Sequence, residues 1–204
     1  MSPEKSSKPL LLETIKIEDG EIQNLHYHQH RCDKSRQTLF CSNDILDLSS
    51  LIDAPKTGLY RCRILYGKVL HSIEYIPYVP KKILTLKIVP SNIEYSLKYA
   101  NRDALNALLK SNKDVDEVII EKEGYLTDTT ISNIAFFDGA QWLTPANPLL
   151  EGTMRAKLID ESFLHTKDIK REDLQHYSQV ALMNAMIGFK IINIDTIQNI
   201  IKGA

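Results

Sequence analysis

The run of residues 117–145 limits the possible folds more than any other part of this sequence. It reads EVIIEKEGYLTDTTISNIAFFDGAQWLTP, in which β-rich segments are separated by the glycine-containing turns KEG and FDGA. Short turns of this kind join strands that lie next to each other in a sheet. The pattern therefore predicts an antiparallel β-meander.

A second β-signal lies near the N-terminus, in residues 10–25, which read LLLETIKIEDGEIQNL. Asp19-Gly20 stands between two β-prone runs, and this dipeptide is one of the strongest short-range signals of a hairpin. Helices are predicted next, within residues 28–40 and shortly before Pro55. In the first of these helices, the residues expected on the inner face are Cys32, Thr38, Leu39 and Phe40.

Three apolar-rich segments follow, at residues 58–67, 69–78 and 82–90. Because they alternate in part and are interrupted by glycine and proline, we expect three antiparallel strands. After Pro90 the character of the sequence changes. Residues 101–112 form an amphipathic helix pattern whose apolar stripe consists of Leu105, Leu108 and Leu109.

The elements after the meander are a helix at residues 153–165 and β-rich segments at 179–185 and 189–201. Helices and strands thus occur in both halves of the chain, which predicts an α/β (α+β) fold. The predicted organisation is a small N-terminal α/β domain, a linker and a larger second domain. Their boundaries are residues 1–88, 89–93 and 91–204 respectively.

Composition favours a protein that acts on small molecules. The formal net charge of −1, from 25 basic and 26 acidic residues, gives no basic surface for nucleic acid or membranes. No apolar run approaches the roughly 18–20 residues of a membrane span, and the N-terminus lacks a signal peptide's apolar core. A cytoplasmic location is expected. The three cysteines show no CxxC pairing, which fits reduced thiols.

Three short features stand in a suggestive order along the chain. Lys98 lies where the extended segment EYSL meets a helix, Asp128 lies inside the meander, and EGTMR at residues 151–155 precedes a helix. Taken singly, each has a plain structural interpretation, as a surface lysine, a strand-edge residue and a helix cap. Their order and spacing carry more weight than any one of them.

In that order the features resemble the class IV aminotransferase family of pyridoxal-phosphate enzymes. The resemblance covers roughly residues 12–190 and is densest at 94–160. LKYANR is similar to the lysine segment of 4-amino-4-deoxychorismate lyases, EGTMR to their Gly-Ile-Met-Arg turn, and NAM to their C-terminal Asn-Ala-Leu or Asn-Ser-Leu. The resemblance implies the two-domain, D-amino acid aminotransferase-like fold of pyridoxal-phosphate-dependent enzymes.

The resemblance implies that Lys98 binds pyridoxal 5′-phosphate covalently and that Asp128 is the second catalytic residue. This cofactor needs an amine for its aldehyde, an acidic partner for its pyridine nitrogen and an anion site for its phosphate. Asp128 occupies the position of the acidic partner, where the family usually has glutamate. Because aspartate is one methylene shorter, we expect it to approach through a shifted strand or to act through water.

The predicted phosphate site combines a helix N-terminus with an arginine. Gly152 precedes the predicted helix, whose first-turn amides and dipole favour an anion. The family also places on the phosphate the arginine of a His-x-x-Arg segment with a serine four residues later, a spacing found in His28, Arg31 and Ser35. The cofactor-binding residues that the resemblance implies are Arg31, Lys98, Asp128, Gly152, Thr153, Met154, Asn184 and Ala185.

Two other groups of polar residues have spacings that could suit a binding site. His26, His28 and His30 alternate, but no nearby cysteine or carboxylate spacing completes a metal site, so no metal is expected. Arg61 and Arg63 lie on one face of a predicted strand, where they either hold a substrate carboxylate or are solvated. Of these two, Arg63 is the predicted substrate-binding residue.

The resemblance leaves three functions open. The first is a 4-amino-4-deoxychorismate lyase of folate biosynthesis, which releases pyruvate and 4-aminobenzoate. The second is an aminotransferase acting on D-amino or branched-chain amino acids, and the third is a non-catalytic homologue that binds the cofactor. By analogy we expect a homodimer with the cofactor between the two domains. Only eleven residues precede Leu12, fewer than in the family, which predicts an open cavity or one covered by the partner subunit.

Overall fold

The computed structural model describes residues 8–192, Ile197 and residues 201–202 of the chain. The chain forms two compact units. One contains the residues up to Tyr78 together with Leu97–Asn101, and the other contains Val79–Ser96 and the residues from Arg102 onward. The predicted boundary at residue 88 therefore does not coincide with the observed division. The start of the predicted first domain and parts of the predicted C-terminal β-segment lie outside the described residues, at 1–7, 193–196 and 198–200.

The first unit contains, in the described part of the chain, a four-stranded antiparallel sheet. Its strands are β1 (Leu11–Glu18), β2 (Glu21–Ile22), β3 (Leu59–Tyr66) and β4 (Leu70–Pro77), in the order β2-β1-β3-β4. The predicted hairpin between β1 and β2 is confirmed. Asp19 and Gly20 have φ angles of 48° and 88°, the positive values that a two-residue type I′ turn requires at both central positions.

Two helices, α1 (Leu25–Phe40) and α2 (Leu48–Leu51), complete the first unit. Its core joins alternate residues of β1 and β3 to Cys32 and Leu48, with Leu39 and Phe40 packed at the edge. Thr38 is exposed, so the predicted inner face of α1 was wrong at that position. The residues of α1 that are buried are largely polar, namely His28, Cys32, Ser35 and Arg36.

The second unit is built on a sheet that has nine strands among the described residues. The predicted meander is confirmed as β6 (Glu117–Lys122), β7 (Tyr125–Thr129), β8 (Asn133–Phe137) and β9 (Trp142–Pro145), each antiparallel to the next. The other strands are β5 (Leu86–Pro90), β10 (Leu164–Lys167), β11 (Gln179–Asn184), β12 (Gly188–Ile192) and β13 (Ile201–Lys202). Of these, β11 is antiparallel to both β8 and β12.

Strand β5 corrects the prediction of three antiparallel strands in the N-terminal half. It is not a neighbour of β4 but pairs in parallel with β6 in the second sheet, because Leu86 and Ile88 belong to the second unit's core. Parallel neighbours need a crossover connection, and the connection here contains helix α3 (Asp103–Lys110). Leu105 on the predicted stripe of α3 is buried.

The helix predicted at residues 153–165 is present as α4 (Thr153–Asp160) but is shorter, because Leu164 and His165 belong to β10. A 3-10 helix follows at Arg171–His176. Both are short, and the second unit's core consists mainly of strand residues such as Ile119, Ile134 and Phe136. Nowhere in the described ranges does a helix combine the length and the apolar character needed to cross a membrane.

Candidate functional site

Lys98 lies in the short segment that joins the edge of strand β1. Its carbonyl accepts a hydrogen bond from the Leu12 N–H at 2.8 Å, and the Ala100 N–H donates to the Leu10 carbonyl at 2.8 Å. Residues that face each other across an antiparallel bridge project to the same side. Lys98 therefore lies on Leu12's side of the sheet, half-buried and five residues before α3 begins at Asp103.

Arg31 is held by the carboxylate of Glu13, which was not among the predicted site residues. Its Nε donates to Glu13 Oε1 at 2.8 Å and its Nη2 donates to Glu13 Oε2 at 2.6 Å. His28 Nδ1 lies 2.6 Å from the same Oε2 atom. The side chains of Glu13 and His28 are completely buried, and that of Arg31 is 11% exposed. These three residues are called the Glu13 cluster below.

The ion pair between Glu13 and Arg31 determines which groups of the Glu13 cluster are charged. Burial raises the pKa of Glu13, but Arg31 and His28 together outweigh burial and lower this pKa to about 2. Burial lowers the pKa of His28, and the hydrogen bond and charge of Glu13 offset this only in part. At neutral pH the cluster thus contains a carboxylate, a guanidinium and a neutral imidazole. Because Glu13 is ionised, the imidazole donates its Nδ1–H to the carboxylate.

Arg63, the predicted substrate-binding residue, lies on β3 directly opposite Thr14 of β1. This places it on the side of the sheet that also carries Leu12. Its Nη1 donates to Glu74 Oε2 at 3.1 Å, and the side chains are 31% and 51% exposed respectively. An exposed ion pair of this kind contributes at most about 1 kcal/mol. Glu74 can therefore be exchanged for another carboxylate at little cost.

Asp128 is buried on β7, and both of its carboxylate oxygens accept hydrogen bonds. Oδ1 accepts from Asn133 Nδ2 at 2.7 Å, and Oδ2 accepts from the Leu150 N–H at 2.8 Å. Asn133 Nδ2 also donates to the Leu150 carbonyl at 2.8 Å. Asp128, Asn133 and Leu150 are called the Asp128 network below. The network connects two strands of the meander to the loop that leads into α4, and the short aspartate reaches both partners directly.

Burial raises the pKa of Asp128 to about 7, although hydrogen bonds from Asn133 and Leu150 and the charge of Arg155 oppose this effect. The hydrogen-bond donors of the Asp128 network are neutral amides. Near neutral pH the carboxyl group is therefore divided between its protonated and ionised forms. A cationic N–H placed against it would favour the ionised form.

Helix α4 begins at Thr153, immediately after Gly152. The amides of Thr153 and Met154 lie in its first turn, where the helix dipole favours an anion. A Cβ atom on Gly152 would lie 1.9 Å from Asn133 Oδ1, a distance that no side chain can adopt without a shift of its neighbours. The loop thus approaches the Asp128 network so closely that only glycine fits at this position.

Asn184 ends strand β11, and both ends of its side chain are engaged. Its Oδ1 accepts from the N–H groups of Met186 and Ile187 at 2.9 and 3.0 Å, and its Nδ2 donates to Ser132 Oγ at 2.9 Å. These bonds shape the turn that contains Ala185 and connect it to the segment between β7 and β8. The predicted contact of Asn184 and Ala185 with a phosphate stays a prediction.

The predicted site residues fall into two groups according to unit. In the second unit, hydrogen bonds link Asp128 to the loop before α4, whereas the turn at Asn184 connects to the same meander through Ser132. In the first unit, Lys98 lies at the edge of β1 and its charge acts on His28, the neighbour of Arg31 in the Glu13 cluster, and Arg63 lies on β3. The first group is Arg31, Arg63 and Lys98, and the second is Asp128, Gly152, Thr153, Met154, Asn184 and Ala185.

Two buried residues that bond to predicted site residues, Glu13 and Asn133, were not predicted, although each carries a signal in the sequence. Leu11, Ile15 and Ile17 alternate on the buried face of β1, and Glu13 occupies the remaining position of that alternation. A carboxylate at such a position needs a partner, because a buried unpaired charge is costly. Asn133 similarly opens the apolar run IAFF within the meander, where a buried amide needs hydrogen-bond partners.

The alternating histidines do not converge on one point. His28 contacts Glu13, and His26 and His30 are exposed. In the ranges that the structure describes, no group of three or more histidine, cysteine, aspartate or glutamate side chains is placed to hold a metal ion.

The chemical groups of the predicted site residues suit a phosphorylated aromatic aldehyde as ligand. A lysine amine such as that of Lys98 can bind an aldehyde covalently, and a guanidinium and a helix N-terminus both suit a phosphate. The close approach at Gly152 leaves the first-turn amides of α4 uncovered by a side chain at the preceding residue. Asp128, with a pKa of about 7, suits a nitrogen base that shares a proton with it.

Comparison with known proteins agrees with these features. Residues 10–194 match the model of the family described as amino-transferase class IV. The chain is 38% identical over 184 residues to an uncharacterised protein of Haemophilus influenzae, covering 87% of this chain and 98% of that protein. A Schizosaccharomyces pombe protein with the provisional name aminodeoxychorismate lyase is 28% identical over 130 residues, which are 57% of this chain and 54% of that protein.

A solved structure is also similar over almost its whole length. This crystal structure, from Haemophilus somnus, carries the provisional name 4-amino-4-deoxychorismate lyase. It shares 38% sequence identity with the chain and superposes with a TM-score of 0.83. The match covers 89% of this chain and 98% of that one.

Proposed function

The chain belongs to the class IV aminotransferase family, whose enzymes depend on pyridoxal 5′-phosphate, and on that premise we propose that it is a 4-amino-4-deoxychorismate lyase. The proposed reaction divides 4-amino-4-deoxychorismate into pyruvate and 4-aminobenzoate, a step of folate biosynthesis. The observation that carries the proposal is the 38% identity with a provisionally named lyase over 98% of that solved chain. The motif LKYANR supports the same reaction.

In this proposal pyridoxal 5′-phosphate is bound by the residues that the family resemblance implies. Lys98 holds it through a covalent bond to the aldehyde carbon, and Asp128 accepts a hydrogen bond from the pyridine nitrogen. When bound, the cofactor supplies an electron sink for charge that develops beside the substrate's amine. The residues proposed to bind its phosphate are Arg31, Gly152, Thr153, Met154, Asn184 and Ala185.

Lys98 also moves protons in the proposed reaction. Its amine would accept the proton from the ring carbon that bears the substrate's amino group. The neighbouring ether bond then breaks, pyruvate leaves as its enolate, and the ring becomes aromatic. Lys98 returns a proton to the enolate. The two products together contain every atom of the substrate, so the reaction needs no acceptor and no oxidant.

Arg63 is the proposed partner of a substrate carboxylate. Arg63 lies on β3, and its present partner, Glu74, is exposed. A carboxylate of the substrate can replace Glu74 in a two-point contact with the guanidinium. This exchange leaves the charge of Arg63 paired both before and after binding.

Covalent attachment of the cofactor tests the role of Lys98. The purified protein should absorb visible light, and borohydride reduction followed by peptide mass spectrometry should find the cofactor on the peptide that contains Lys98. Lys98→Ala should remove the absorbance, whereas Lys110→Ala, on the exposed C-terminal end of α3, should retain it. Attachment to Lys110 or Lys113 would contradict the assignment.

Product analysis tests the reaction itself. Supplied with 4-amino-4-deoxychorismate and no keto acid, the protein should form 4-aminobenzoate and pyruvate in equal amounts over repeated turnovers. If it ignores this substrate but transfers the amino group of D-alanine, glutamate or leucine to a keto acid, it is an aminotransferase. If it binds the cofactor and does neither, it is a non-catalytic homologue.

We also propose, by analogy with the family, that the protein is a homodimer located in the cytoplasm. Sedimentation of the cofactor-bound protein should give the mass of two chains, and a single-chain mass at micromolar concentration would contradict the dimer.

A further inference from the structure

Glu13 has no task in the proposed reaction, yet its contacts allow it to control a residue that does. Its two oxygens take the Nε and Nη2 hydrogens of Arg31 at 2.8 and 2.6 Å. A guanidinium held along this edge is fixed in both its plane and its direction, because two parallel hydrogen bonds prevent rotation at the end of the side chain. An arginine without such a partner has many rotamers and loses more entropy when it binds an anion.

Glu13 is itself held in place on three sides. Its backbone pairs with Ile64 of β3 within the sheet, and its side chain is completely buried between Leu11 and Ile15 on the same face of β1. His28 Nδ1 lies 2.6 Å from Oε2. This neutral imidazole adds a third hydrogen bond without adding a second cation, so the cluster contains one negative and one positive charge.

We propose that Glu13 is a positioning residue that, together with His28, fixes the guanidinium of Arg31 in the orientation that binds the cofactor's phosphate. The inference rests on the proposed function, because it takes Arg31 to be a phosphate ligand. It deepens that function by making selectivity for a phosphorylated aldehyde depend on a carboxylate that does not touch the cofactor.

A purely structural role for Glu13 makes a different prediction. An ion pair that only holds α1 against β1 would affect the stability of the first unit, and its loss would weaken every ligand of that unit alike. A positioning role concerns the phosphate alone. The two roles are therefore distinguished by two ligands that differ only in the phosphate, namely pyridoxal 5′-phosphate and pyridoxal.

Arg36 provides a matched control within the same helix. It is buried, as the Glu13 cluster is, but its guanidinium donates to the Asp44 and Lys68 carbonyls and to Ser42 Oγ. None of these acceptors belongs to the cluster. Arg36→Gln should therefore destabilise the first unit and leave the preference for the phosphorylated aldehyde unchanged.

The experiment is a titration of the full-length protein with each aldehyde, followed by visible absorbance. The measured quantity is the ratio of the two dissociation constants, pyridoxal over pyridoxal 5′-phosphate. Glu13→Gln should lower this ratio about tenfold or more, the range expected when a charge-assisted contact is misplaced. Its affinity for pyridoxal should change far less. If Glu13→Gln does not fold, Glu13→Asp, which keeps the charge and shortens the reach, should lower the ratio in the same direction.

A double-mutant cycle shows whether Glu13 acts through Arg31. Arg31→Ala should lower the ratio by itself, and adding Glu13→Gln to that variant should lower it no further. An additional loss in the double variant, or an unchanged ratio in Glu13→Gln while the wild-type protein binds both aldehydes, would overturn the inference and leave the proposed function intact. If the wild-type protein binds neither aldehyde, the proposed function fails, and this inference fails with it.

Discussion

The Glu13 cluster and the Asp128 network each bury one carboxylate, and the two carboxylates behave in opposite ways. Burial raises the pKa of both, yet that of Glu13 is lowered to about 2 and that of Asp128 is raised to about 7. The difference lies in the partners. Glu13 receives two bonds from the guanidinium of Arg31, whereas Asp128 receives hydrogen bonds from an amide side chain and a backbone N–H.

This comparison shows that neutral hydrogen bonds do not by themselves offset the cost of burying a charge, whereas a cation in contact does. The two carboxylates consequently suit different tasks. Glu13 keeps its charge across the physiological pH range and can hold Arg31 in one orientation. Asp128 can change its protonation state near neutral pH, and it can therefore respond to a basic nitrogen placed against it.

The largest expected effect comes from removing each negative charge with little change of shape. At pH 8, Glu13→Gln should lower the free energy of unfolding by about 3–5 kcal/mol, because it leaves the guanidinium of Arg31 without its counter-charge. Asp128→Asn should change it by only about 1 kcal/mol, since the lost hydrogen bonds are offset by the removal of a poorly compensated charge. Urea denaturation of the cofactor-free variants measures both. Equal losses would show that the partners of the two carboxylates do not differ in effect.

The second prediction concerns the pH dependence of stability. Asp128 binds its proton more tightly in the folded state than in the unfolded state, where its pKa is near 3.8. Its contribution to stability is therefore complete below about pH 4 and is lost as the pH rises through about 7. At about 1.4 kcal/mol per pKa unit, the loss amounts to as much as about 4 kcal/mol.

Unfolding of the wild-type protein and of Asp128→Asn at pH 5 and pH 8 isolates this contribution, because other titrating groups are common to both proteins. The wild-type protein should lose more stability than the variant between these two values. Glu13 adds no slope there, since its contribution is complete above about pH 4.5 and is lost only as the pH falls through about 2. Identical slopes in the two proteins would contradict the raised pKa of Asp128.

The smallest expected effect comes from replacing one glycine of each unit with alanine. Gly152→Ala would place a Cβ atom 1.9 Å from Asn133 Oδ1, whereas at Gly67 the nearest atoms are side-chain atoms at 3.4 Å or more. Gly152→Ala should therefore lower the free energy of unfolding by about 1–3 kcal/mol. Gly67→Ala should stay within about 1 kcal/mol of wild type. Thermal unfolding compares the two, and a loss confined to Gly67→Ala would argue against the close packing of the loop before α4.

Much of the fold could be predicted because its signals are local. The Asp19-Gly20 hairpin and the four strands of the meander follow from turn residues and β-rich segments, and the structure confirms them. The partner of β5 could not be predicted in this way. Its sequence suits either sheet, and pairing with β6 depends on the crossover through α3 and on burial of Leu86 in the second core.

The site divides along the same line. Lys98 and the helix start after Gly152 were predicted from motifs that are continuous in sequence. The resemblance to the family rests on the same motifs. Glu13 and Arg31 are separated by 17 intervening residues, and Asp128 and Leu150 by 21, so no local pattern could reveal that they bond to each other. Only the packing of α1 on β1 and the return of the loop before α4 bring these groups into contact.

The sequence by itself determined which chemical groups this protein has and where most of its turns, strands and helices lie, because those properties depend on neighbouring residues. The tertiary structure decided what charge each buried carboxylate carries. A carboxylate's pKa depends on how much water burial removes and on which donors lie within hydrogen-bonding distance. Both depend on residues distant in sequence, because a guanidinium reaches Glu13 and an amide reaches Asp128. The same functional group therefore stays ionised down to about pH 2 in one unit and titrates near neutral pH in the other.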